Sequence, residues 1–175
     1  MRLWIIVGII LLAGYFWFQP PSVDSVFSGM QFSHGNIVYR NVTYQTEWGP
    51  EVQHRGTVHY IHRAFYRAVP LITHHAIVTT GEYNDPAITT IQNIDSSGNM
   101  SWRATHNPQG SLIVLHFIPQ NKEVLEQLKN LKNGDQAIFV GAEERDSKIV
   151  GSNGAWLQLG HDNHKYVLLR TVRIQ

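Results

Sequence analysis

The chain has no cysteine, which removes disulfides, thiol nucleophiles and cysteine-based zinc sites together. Charge is scarce as well: 15% of the 175 residues are charged, and the formal balance is +1 with histidine neutral. No field of one sign is there to draw a polyanion, so nucleic acid is not an expected partner. The length suits one ordinary domain plus an appendage, and two full domains would be a squeeze. Catalytic signatures are missing too, since neither a Gly-x-Ser-x-Gly elbow nor a helical His-Glu-x-x-His is present. "GSNGAW" has the glycines without the elbow spacing. Glu143, Glu144 and Asp146 are the carboxylates nearest one another, but charge at a hairpin end reads as a solvated tip. A protein that is not an enzyme and needs no cofactor is the expectation.

What is there begins with "LWIIVGIILLAGYFWF", residues 3–18, an uncharged apolar run opened by Arg2 and closed by "QPPS". At 1.5 Å per residue it covers about 24 Å, somewhat short of the hydrocarbon core but able to span it with local thinning. Trp4 at one end and Tyr15 and Trp17 at the other are interfacial anchors. A retained anchor over residues 1–19 is therefore expected. Positive charge precedes the run, and the first basic residue after it is Arg40. By the positive-inside rule the N-terminus is cytoplasmic and the rest extracytoplasmic. A cleaved signal with its exit at "VDS", residues 23–25, gives the same compartment, and a buried soluble helix is the third reading.

Beyond a membrane-proximal link with strands, residues 20–70, the pattern is β. "NIVYRNVTYQ" alternates as a strand, and "VQHRGTVHYIHRAFYRAV" starts as a strand and ends ambiguously. From Leu71 the signals are regular: "LITHHAIVTTGEY", "AITTIQNID", "MSWRAT" and the nearly unbroken apolar "SLIVLHFIP". A helix follows, with Asn121 as its cap, Val124, Leu125, Leu128 and Leu131 as its apolar stripe, and Gly134 as its stop. Two or three strands finish the chain, with a hairpin signal at 152–154. Three strands, one short helix, then more strands is the plan of an OB-like antiparallel β-barrel, placed at 71–175. The fold class is mainly β, and a sandwich with one helix is the alternative.

The run "LHFIPQNKEVLEQLKNLKNGDQAIFVGAEE" resembles a segment of uncharacterised bacterial membrane-anchored proteins, in which an "HxIPA"-like strand leads through a helix to a "GDxVxxxGxL"-like strand. His116, Ile118, Pro119, Gly134, Asp135 and Gly141 are the matching positions, with Trp156 near a family aromatic. The likeness covers the last third of the chain and departs at "HKYVLLRTV", where such proteins often carry a cysteine-containing strand. It implies an OB-like fold in an extracytoplasmic protein and no activity.

Ten histidines are many for this length, and they bunch at His54, His59 and His62, at His74 and His75, and at His161 and His164. Converging imidazoles make open zinc or copper sites. His161 and His164 in "HDNH" can bend round a turn, whereas a strand puts His59 and His62 on opposite faces. The plainer reading, polar residues on exposed strands and loops, is preferred. Trp102, Phe139, Trp156 and Tyr166 would be the aromatic platform of a nucleic-acid-binding barrel, but core and wall positions suit them better. Tyr60, Arg63, Phe65, Tyr66 and Arg67 interleave aromatic and basic residues, as protein interfaces and lipid headgroup contacts do; a partly buried strand with snorkelling arginines is the equal alternative.

A cytoplasmic tail of two residues cannot signal inward, and a lone helix without an ionisable group cannot transport. The expected role is thus a single-pass accessory or assembly subunit of a membrane protein complex in a bacterial inner membrane. Its partners would be other membrane proteins, and the bilayer through the N-terminal helix. The alternative is a tethered binding module for a metal ion or small ligand, with a hydrolase third.

Overall fold

The computed structural model describes residues 21–175 apart from 34, 65, 95–98 and 160–162. The expected anchor, with Trp4, Tyr15 and Trp17, lies outside the described residues, as do Phe65 and His161. Among the described residues no helix is long and apolar enough to cross a membrane.

The chain opens with α1 (Val23–Ser28), capped by the Ser22 hydroxyl accepting from the Ser25 N–H at 3.1 Å. Three short strands follow, β1 (Met30–Ser33), β2 (Asn36–Tyr39) and β3 (Val42–Gln45). The single strand expected over 36–45 is instead a hairpin. Arg40 and Asn41 both take positive φ, 48° and 64°, and close a two-residue turn between the paired Tyr39 and Val42. Mirror-image turns of this kind match strand twist but usually advertise themselves with glycine, and here an arginine and an asparagine do the work.

Strand β4 (Trp48–Arg63) is 16 residues long and carries the strand into the first residues of the segment of ambiguous pattern, ending at Arg63. Its first part pairs with β9 (Gln136–Glu144) and its second with β5 (His74–Thr79). β5 then pairs with β8 (Leu112–Pro119), β8 runs parallel to β12 (His164–Ile174), and β12 returns antiparallel to β9. The five strands form a ring in the order β12-β8-β5-β4-β9. The sheets are antiparallel apart from the β8–β12 pairing.

Alternation sorts the strand residues. Val58, Ala76, Val78, Leu115, Phe117, Phe139, Val167 and Leu169 share the inner cluster, and α2 (Lys122–Asn130) adds Val124 and Leu128, with Leu131 just beyond its end. The Asn121 cap is as expected, its side chain accepting from the Val124 N–H at 3.0 Å. Gly134 does have positive φ, 95°, but the helix stops earlier, at Asn130, and Gly134 instead turns the chain into β9. At Gly141 a Cβ would lie 2.4 Å from the Leu168 carbonyl oxygen, so β9 and β12 approach there only because glycine has none.

Two layers cover the outside of the barrel. One is a sheet ordered β1-β2-β3-β10-β11, where β10 (Lys148–Gly151) and β11 (Trp156–Gln158) join round the expected 152–154 turn. The other is the hairpin of β6 (Thr89–Ile94) and β7 (Met100–Ala104), which pair with each other. Two expectations are corrected here. "AITTIQNID" and "MSWRAT" are not barrel strands; the polar residues along them suit a surface flap, and the long β4 takes the place beside β5. The division at residue 71 also fails, because β4 from the N-terminal part completes the barrel and β3 pairs with β10, Val150 opposite Gln45.

Candidate functional site

On β5 and β8 the residues between the inner ones face the outer wall, and there a row of histidines crosses four strands. His62 of β4 stands opposite His75 of β5, which stands opposite His116 of β8; His116 in turn is opposite Tyr166 of β12. Ring centroids are 5.9 Å apart for His62 and His75, 6.1 Å for His75 and His116, and 5.3 Å for His116 and His164. Tyr60 stacks on His62 and His75, and Tyr66 meets His116 edge-on. The row is exposed at His62 but fully buried at His75 and His116. It lies between the apolar contacts of the β6–β7 flap, where Ile77, Leu112 and Val114 meet Ile91 and Met100, and those of the β1–β3 side, where Ile118 and Tyr166 meet Tyr39 and Ile149.

Three members are joined by hydrogen bonds. The Tyr66 hydroxyl is 3.0 Å from His116 Nδ1, and His116 Nε2 is 3.1 Å from His164 Nδ1. Burial, reinforced by His164 and His75, lowers the His116 pKa to about 3, so its ring is neutral and carries one N–H. Two arrangements satisfy both contacts. Either Tyr66 donates to His116 and His116 to His164, or His164 donates to His116 and His116 to the Tyr66 oxygen. The three groups therefore switch polarity together, and the tautomer of His164 is tied to the proton on Tyr66. His74, on the inner side of β5, is separate from the row. Its Nδ1 lies 3.1 Å from the Thr73 hydroxyl, and burial first, then His75, lowers its pKa to about 4.

The other expected residues are scattered. His59 is the residue at the β-bulge between Val58 and Tyr60, its pKa lowered by partial burial, while His62 keeps company with Tyr60 and His75. His54 lies 2.7 Å from Glu143. Among the described residues no group of three or more His, Asp or Glu is placed to hold a metal ion. Arg67 is exposed, whereas Arg63 is half-buried and shares a small cavity with Pro21, Val26, Ala64, Tyr66 and Pro70. Of the four aromatics, Phe139 stacks on Phe117 inside the barrel, Tyr166 is buried in the wall, and Trp102 and Trp156 are exposed on separate layers. They form no platform. Glu144 is not a solvated tip: it is 4% exposed and accepts from the Lys148 N–H at 2.7 Å and the Glu47 N–H at 3.3 Å, closing the turn after β9.

His116 stood outside the bunched histidines and His75 was grouped only with His74, though "THHA" and "LHF" set them in apolar strands where an imidazole is out of pattern. No family model matches the chain, and no curated protein matches it.

Proposed function

We propose that the chain is a single-pass, extracytoplasmic, OB-like domain tethered to a bacterial inner membrane, working as a non-enzymatic accessory subunit that docks on larger membrane proteins. The OB-like assignment draws support from strand order. Numbered along the chain, the barrel strands β4, β5, β8, β9 and β12 run first, second, third, fifth, fourth and back to first, with α2 between the third and fourth. Barrels of this kind often take oligonucleotides on the face of the second and third strands. Here the flap occupies that face, packing Ile91 and Met100 against Ile77, Leu112 and Val114, which favours a protein partner over a nucleic acid.

One observation carries the docking role. Pro21, three residues past the apolar run, lines the same small cavity as Arg63, Tyr66 and Pro70 at the end of β4. Three residues reach about 10 Å at most, so an embedded run keeps this end of the barrel at the membrane surface. Arg67 is then exposed beside the lateral surfaces of other membrane proteins. Purification of the full-length chain from its native membranes in mild detergent, followed by mass spectrometry, tests this. A stoichiometric set of membrane partners, depleted by Arg67→Glu, is the expected result; a chain that purifies alone under every detergent condition rejects it.

A further inference from the structure

The five-stranded sheet that flanks the barrel has a second face. Ile37, Tyr44 and Ile149 pack onto the barrel wall, so their neighbours along each strand point the other way. Val150 of β10 stands opposite Gln45 of β3 on one side and opposite Trp156 of β11 on the other, which puts the three in one rung of that outward face. At 60% exposure Trp156 is the most open of the large hydrophobic side chains among the described residues. Beside Val150 and Gln45 lies a cavity of about 320 Å3, a size that suits a small ligand. Its other walls are Thr46 and Glu47, where β3 leads to β4, and Glu144, Asp146 and Lys148, where β9 turns into β10.

The walls are tied to each other. Buried Glu144 accepts from the Glu47 N–H at 3.3 Å through Oε1 and from the Lys148 N–H at 2.7 Å through Oε2. Arg145 donates its N–H to the Glu47 carbonyl at 2.9 Å and its guanidinium to the Glu47 carboxylate at 3.0 Å. A lining held in this way loses little freedom when a ligand arrives. Its chemistry then selects the ligand. Lys148 repels a cation, and Glu47 and Asp146 repel an anion. The carboxylates do not gather round a metal ion either, since among the described residues no group of three or more His, Asp or Glu is so placed. What remains is hydrogen bonding of both kinds: the Gln45 amide donates and accepts, Lys148 donates, and the carboxylates accept. A sugar ring carries hydroxyls of both kinds round its rim and C–H groups on its faces, and an exposed indole offers the flat apolar surface that such a face covers.

We propose that this cavity, with Trp156 beside it, is a binding site for an uncharged oligosaccharide: one sugar unit hydrogen-bonds to Gln45, Asp146 and Lys148, and the next stacks on Trp156. The site goes beyond the docking role and does not rest on it, because it belongs to β3, β10 and β11 and not to the end of β4.

Full-length protein in a detergent without a sugar headgroup is titrated with cellotetraose, maltotetraose and chitotetraose, and binding is followed by calorimetry and tryptophan emission. At least one of the three is expected to bind, one per chain, with an affinity that a roughly tenfold rise in sodium chloride leaves unchanged, as an uncharged ligand requires. Trp156→Ala removes the emission change and weakens binding roughly tenfold or more, and Asp146→Ala weakens it by a similar factor. Both side chains are exposed, so neither variant disturbs the core. Trp102→Phe, on the β6–β7 flap, leaves the affinity unchanged. The proposal is overturned if none of the three sugars binds at millimolar concentrations, if Trp156→Ala leaves the affinity within about twofold, or if only the cationic, deacetylated form of chitotetraose binds.

Discussion

His116 is where sequence, packing and pH meet. An imidazole at a fully buried wall position between two apolar layers cannot afford a charge, and its pKa drops from 6.5 to about 3. Its surroundings reinforce this: His75 and His164 face it along the row, and Tyr66 and Tyr166 close its sides. His74 on the inner side follows the same rule, with a pKa lowered to about 4. In the unfolded chain both titrate near 6.5, so between 6.5 and these lowered values the unfolded state binds more protons than the folded one. Stability is then full above pH 6.5 and is lost as pH falls through it, by up to about 1.4 kcal/mol per pH unit for each histidine. Urea unfolding at steps between pH 7.5 and 5, before most carboxylates titrate, measures the slope. His116→Asn is expected to make it shallower by about 1 kcal/mol per pH unit, whatever it does to absolute stability. An unchanged slope would mean that His116 is protonated in the folded protein.

At the scale of elements, α2 makes the clearest test because its cap and its stripe do different jobs. The stripe puts Val124 and Leu128 into the barrel interior, and the cap satisfies the Val124 N–H through the Asn121 side chain. Asn121→Ala should lower stability by about 1 kcal/mol with an unchanged denaturant slope, whereas Asn121→Gly should cost only a few tenths. Equal losses in the two variants would show that the side-chain bond contributes nothing. This helix was legible from the sequence because every signal lies within a dozen residues, as was the 152–154 turn. The apolar β8, buried on both faces, was legible from its run of residues alone. The β2–β3 turn was not, since Arg40 and Asn41 adopt positive φ without a glycine to announce it. The histidine row was out of reach for a different reason: His116 and His164 are 48 positions apart and meet only through the β8–β12 register, which no local pattern encodes.

At the scale of the molecule, the question is whether the N-terminal strands are an addition to the barrel or part of it. The pairings say part. β4 is the neighbour of both β5 and β9, so the ring cannot close without it, and its Val58 is fully buried in the inner cluster. β3 supplies the partner of β10, and Tyr39, Tyr44 and Ile149 of that sheet cover Ile118 and Tyr166 on the outer wall. A fragment of residues 71–175 would keep the helix and most of the regular strand signals yet have two long unpaired edges where β4 belongs, the kind of edge that recruits other chains. It is expected to show no cooperative thermal transition and to aggregate, while residues 21–175 unfold cooperatively like the full chain. Circular dichroism and size-exclusion chromatography on the two fragments decide it. A monomeric 71–175 with a sharp transition would mean that a different strand, from the β6–β7 flap, can close the ring in place of β4, and that the flap is a barrel strand held out of register only by the presence of the longer one.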